Sequence, residues 1–145
     1  MSCAEAQPAP ENEPRTVLDP ASSLQHACME QLAIVEKYEG FVDYVYPLLR
    51  GLPRADYVLR DHATHAVLGQ VLLFIEAGKS GQVSRLYAAD AGIAHLRFIL
   101  RFCAAPTRKF ISQHQHRTAA ILLAEVGAML GAWVKRAQAA KRERG

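Results

Sequence analysis

Residues Leu68 to Phe102 read LGQVLLFIEAGKSGQVSRLYAADAGIAHLRFILRF, and no other stretch constrains the fold as strongly. Two apolar patterns of helical period meet at Gly78-Lys79-Ser80. The second sets Arg97 and Arg101 among Ile93, Leu96, Phe98, Ile99, Leu100 and Phe102. Residues four apart on a helix share a face. A pair of arginines inside an apolar helix needs an anionic partner, either within the protein or outside it. Which anion it is becomes the functional question.

The rest of the chain reads as helix too. A first helix is expected from about Leu24 to Arg50, on Leu32, Val35, Phe41, Val42, Val45 and Leu49, with Ser22 or Ser23 as its cap. Pro47 predicts a kink or an early end there, and Gly51-Leu52-Pro53 a stop. The second helix runs from about Ala55 to Ala77. Gly78 suits its left-handed C-terminal residue, and Ser80 suits the N-cap of a third helix ending near Ala105. After Pro106, Ser112 is a candidate cap for a fourth helix running to about Ala139. No segment alternates with a period of two. Short links between long helices predict an all-α fold, an antiparallel up-down four-helix bundle. The expected organisation is a disordered Pro-rich tail (1–21), the bundle domain (22–140) and a frayed basic end (141–145).

A helix in a monomeric bundle needs only one apolar stripe. Here Val71-Leu72-Leu73-Phe74-Ile75 and Ile121-Leu122-Leu123 place bulky groups around most of the circumference. Small residues also line up: Gly127 with Gly131, Ala120 with Ala124 and Ala128, and Ala88, Ala91 and Gly92. Taken together they predict a second buried face, hence a homo-oligomer.

The formal charge of +3 conceals an asymmetry. Residues 1–49 carry two basic and eight acidic side chains, a net of −6, whereas 50–145 carry fifteen and six, a net of +9. The basic portion would attract a polyanion, unless it is simply a solvated surface. Cys3, Cys28 and Cys103 are odd in number and widely spaced, so a reduced cytoplasmic setting without a zinc site or disulfide framework is expected. The apolar run Ala119–Val134 is short for a membrane span and is broken by Glu125, so no membrane partner is expected.

Catalytic motifs are tested and set aside. Gly78-Lys79-Ser80 resembles the end of a phosphate-binding loop, but Leu73 stands where that loop requires glycine, and the upstream segment reads as helix. His62 and His65 lie near Asp61, and His114 and His116 flank Gln115, without a third ligand set; surface histidines are the simpler reading, and no metal or cofactor is expected. There is no nucleophile elbow and no convincing Cys-His pair. Glu36, Glu39 and Asp43 read as a solvated acidic face. No catalytic residue is nominated. Arg97 and Arg101 have two readings that the sequence leaves open. One is an internal ion pair with Glu36, Asp90 or Glu125. The other is a phosphate-binding stripe with Arg85, Lys79, Arg108 and Lys109, extended by Arg117.

Three segments carry a family resemblance: IVEKYEGFVDYVYPLLRGLPR (Ile34–Arg54), Leu68–Phe102, and ILLAEVGAMLGAWVKR (Ile121–Arg136). Over about Glu30 to Arg136 the chain resembles the accessory variability determinant proteins of diversity-generating retroelements. The resemblance implies a four-helix bundle assembled as a homopentamer, with no catalytic activity of its own. It further implies association with the reverse transcriptase of the same element and with template RNA or other nucleic acid, in support of mutagenic cDNA synthesis and retrohoming. Related bundles encoded in ribosomal RNA intervening sequences share that fold. They supply the alternative, a scaffold acting through protein contacts alone.

Overall fold

The computed structural model describes residues 20–144, with side chains from Gln25 onward. It comprises helices α1 (Pro20–Arg50), α2 (Tyr57–Ser80), α3 (Val83–Ala104) and α4 (Gln113–Arg144), and a 3-10 turn at Arg54–Asp56. No strand occurs among the described residues. The expected N-terminal tail lies outside them, apart from Pro20 and Ala21, which open α1 ahead of the expected start at Leu24.

Each helix packs on two others: α1 on α2 and α4, α2 on α3, and α3 on α4. The shared core is built on Tyr38, Phe41, Phe74, Ile93, Leu96, Leu123 and Leu130. Burying such side chains contributes roughly 1.5–3 kcal/mol each before conformational entropy is subtracted. The registers are set by specific contacts. The Tyr38 hydroxyl donates to the Val67 carbonyl (2.5 Å), and the Gln70 amide donates to the Ala89 carbonyl (2.8 Å). Lys37 Nζ lies 2.8 Å from a Glu125 carboxylate oxygen, and Arg136 pairs with Glu30. Burial of Tyr38 pushes its hydroxyl well above the ordinary tyrosine range.

Local expectations meet mixed outcomes. Pro47 does not end α1; it lies within the last turn, and the Gly51 N–H bonds back to the Pro47 carbonyl at 3.1 Å. The missing N–H leaves only an exposed acceptor one turn earlier, at Asp43. The α2–α3 corner falls three residues later than expected. Gly81, with φ 65°, is the left-handed residue, and its N–H bonds to the Ala77 carbonyl. Gly78 is inside α2 and buried, because a Cβ there would overlap the Gln31 side chain on α1. Ser80 does not cap α3; its Oγ accepts from the Gln82 N–H across the corner.

Ser112 does cap α4. Its Oγ accepts from the Gln115 N–H (3.0 Å), while Gln115 Oε1 accepts from the Ser112 N–H (2.9 Å), a reciprocal capping box. The helix then continues past Ala139 to Arg144. Lys141, Arg142 and Arg144 in its last turn complement the negative end of the helix dipole, which accounts for the extra length. By length and composition alone α4 is long and apolar enough to cross a bilayer, a test that bundle core helices also pass. In the bundle it places Ala119, Leu123, Val126, Leu130 and Trp133 against its neighbours.

Candidate nucleic-acid interface

Helix α3 buries Leu86, Ala89, Ile93, Leu96, Ile99, Leu100 and Cys103. That spacing of three and four leaves Arg97, Phe98 and Arg101 on the outer surface, all exposed. Among the described residues, no carboxylate comes within 4 Å of the charged groups of Arg97 or Arg101. The three carboxylates nominated as internal partners stand otherwise. Glu125 is held by Lys37, and Glu36 and Asp90 are exposed without an ion pair among the described residues. Arg97 instead reaches across to α4, where its Nη2 would lie 2.6 Å from a Cβ on Gly127. Glycine there makes room for the guanidinium.

The loop after α3 continues this surface. The Arg108 guanidinium sits over the Phe102 ring, 3.6 Å from its centroid, and Phe102 is 6.0 Å from Phe98. A cation stacked on an aromatic face is held in place without losing its charge. Phe98 remains 54% exposed beside it. Lys109 is exposed and adopts φ 52°, the one non-glycine residue with positive φ among those described. Its N–H and that of Arg108 both bond to the Ala105 carbonyl, at 2.8 and 2.9 Å. A left-handed lysine costs about 1 kcal/mol relative to an ordinary turn residue. Strain of this kind concentrates at functional positions.

The six nominated cations therefore do not form one patch. Arg97, Arg101, Arg108 and Lys109 gather in the C-terminal half of α3 and its loop. Lys79 lies in the last turn of α2, and Arg85 in the first turn of α3, 16 residues before Arg101. At 1.5 Å per residue that separation is about 24 Å. Arg85 is also partly neutralised, with Nη1 3.4 Å from Glu76 Oε2. Lys79 is exposed, with no ion pair among the described residues.

Other chemistry is sparse. Burial raises the Cys103 thiol above its usual range, against a smaller lowering by the charge of Arg108, so this cysteine is poorly disposed to react. Among the described residues no group of three or more His, Cys, Asp and Glu side chains is arranged to hold a metal ion. Sequence reasoning missed two features. One is a shallow cleft between the start of α3 and the end of α4, lined by Val83, Ser84, Tyr87, Gln138, Lys141 and Arg142. The other is a contact between His62 on α2 and His95 on α3, whose Nε2 atoms are 3.1 Å apart. His95 carried no local signal, since its partner lies 33 residues away.

An all-helical bundle does not by itself define a function. The family model described as bAvd-like matches residues 32–137, which is most of the chain, and the chain belongs to that family. The bAvd-like proteins are of the accessory variability determinant kind, noncatalytic accessory proteins of retroelements. Comparison with curated proteins finds no significant match.

Proposed function

We propose that the chain is a noncatalytic adaptor of a diversity-generating retroelement. It binds the reverse transcriptase of its own element and the template RNA, or other nucleic acid, through basic surfaces. In doing so it supports mutagenic cDNA synthesis and retrohoming in the cytoplasm. The observation that carries this reading is the exposure of Arg97 and Arg101 with no carboxylate partner among the described residues. Guanidinium groups match phosphate oxygens, and an exposed ring such as Phe98 accepts an unpaired base. Arg108 and Lys109 extend the primary surface, while Lys79 and Arg85 contribute from the far end of α3. No step of this role needs a catalytic group, since holding polymerase and template together raises their effective concentration.

The working assembly in this proposal is a homopentamer of antiparallel up-down bundles. Contacts across two of the four helix pairs support the topology, because residue numbers run in opposite directions: Glu30 with Arg136 and Lys37 with Glu125, or Gln70 with Ala89 and Glu76 with Arg85. That arrangement also brings Arg50 and Arg54 to the end of the bundle that holds Arg108 and Lys109. Support for self-association comes from Leu32, Leu68, Leu72 and Ile121, each more than half exposed on α1, α2 and α4. The small-residue stripes give less support than the sequence suggested, because Gly92 and Gly127 accommodate Gln70 and Arg97 of the same chain. Residues 30–145 carry sixteen basic and ten acidic side chains. Five copies would present roughly +30, enough to steer a polyanion.

The same exposed apolar side chains favour a second reading, a scaffold of the ribosomal intervening-sequence type that works through protein contacts alone. Co-purification tests the choice. Tagged protein expressed with the reverse transcriptase and template RNA of its element is expected to retain both, and to lose the RNA when Arg97 and Arg101 become alanine. Retention of the polymerase with no RNA at low salt would favour the scaffold. Sedimentation of the purified chain checks the stoichiometry.

A further inference from the structure

The geometry points to a transition-metal clip joining α2 to α3 through His62 and His95. Their Nε2 atoms are 3.1 Å apart, with ring centroids 5.0 Å apart and planes inclined at 66°. Two imidazole nitrogens bound to one tetrahedral zinc ion, each about 2.0–2.1 Å from it, lie roughly 3.3 Å from one another. The observed spacing, that of a hydrogen bond between the two rings, is near that bite, and an ion would take the place of the shared proton. Both side chains are exposed, so an ion reaches them without opening the core. Both also stand on regular helices whose mutual register is fixed nearby by the buried bond from Gln70 to the Ala89 carbonyl. Ligands on rigid elements keep their geometry before the ion arrives, which is the condition for useful affinity from only two side chains.

Neutral imidazole nitrogens select zinc, copper(II) and nickel(II) over magnesium and calcium. The remaining coordination positions are left to water, because no third His, Cys, Asp or Glu converges on the pair among the described residues. An ion held there ties two helices together and leaves open positions facing solvent. The site is separate from the arginine surface, and its fate is independent of whether the chain binds RNA.

Zinc chloride titrated calorimetrically into the full-length, metal-free protein, in a buffer that does not coordinate metal, tests the clip. The expected result is one site per chain with a Kd on the order of micromolar. His62→Ala and His95→Ala are each expected to weaken that site at least tenfold, whereas His65→Ala, one turn along α2, leaves it unchanged. Magnesium chloride gives no comparable heat. Circular dichroism of each variant confirms that helix content is retained, as expected for exposed positions. Absence of a zinc site tighter than millimolar in the unmodified chain would overturn the inference. So would retention of full affinity by either His62→Ala or His95→Ala.

Discussion

The two ends of α3 treat polar groups in opposite ways. Toward its start, Arg85 faces Glu76, Ala89 receives the amide of Gln70, and a Cβ on Gly92 would overlap that same glutamine. Those polar groups find their partners inside the chain and fix how α2 lies against α3. Toward its end, Arg97 and Arg101 have no carboxylate partner among the described residues, and Lys109 occupies a left-handed conformation. One helix thus carries polar side chains that tie it to its neighbour and, beyond them, exposed cations that form no ion pair among the described residues. Groups satisfied internally contribute to stability, and groups left unpaired at some local cost are available to a partner.

The sharpest way to break this comparison is charge reversal. The double variant Arg97→Glu/Arg101→Glu should lower nucleic-acid affinity about a hundredfold, near 2.7 kcal/mol, by replacing phosphate attraction with repulsion. Its urea midpoint should barely move, since exposed unpaired groups contribute little to folding. A large loss of stability would mean that these arginines belong to the structural region after all. At the other end, Gly92→Ala should cost about 1–3 kcal/mol in chemical denaturation, because the new methyl displaces buried Gln70 and crowds Leu73. Gly127→Ala, by contrast, meets only the tip of the flexible Arg97 side chain and should be nearly neutral for stability.

Smaller effects refine the picture. Lys109→Gly relieves the positive φ and should raise stability by about 1 kcal/mol while weakening binding, the opposite signs expected of a strained display position. Tyr38 provides a pH signature for the core. Its folded-state pKa is raised, so its contribution is complete below the unfolded tyrosine value near 10 and declines as pH rises through the folded value. Unfolding midpoints measured from about pH 9 to 11 should fall more steeply for the natural chain than for Tyr38→Phe. The least effect is expected from Glu76→Gln: loss of an exposed ion pair with Arg85 should cost under about 0.5 kcal/mol.

Much of the fold was legible because periodicity is a local signal. Four helices, the Ser112 cap and the apolar positions Ile93, Leu96, Ile99 and Leu100 follow from spacing and side-chain chemistry, whereas Phe98 of the same apolar set is exposed. The errors arose where one residue type serves two purposes. Gly78 and Gly81 both suit a helix end, and only packing against Gln31 shows that Gly78 is needed for close approach and not for its φ angle. Arg97 and Arg101 were conspicuous in sequence, but their pairing state was not. It depended on Glu125 being taken by Lys37 on another helix. The division of the cations between the two ends of α3, and the meeting of His62 with His95, likewise depend on contacts across helices that no linear pattern records.

The salt dependence of RNA binding bears most directly on the central claim that the arginines at the end of α3 are held open for phosphate. Affinity for single-stranded template RNA would be measured from low to physiological salt for the natural chain and for Arg97→Ala/Arg101→Ala. Each phosphate contact on a single strand contributes about 0.7 to the log–log slope, so the double variant should bind more weakly and lose about 1.4 from it per engaged subunit. Equal affinity and an equal slope for the two proteins would contradict the account.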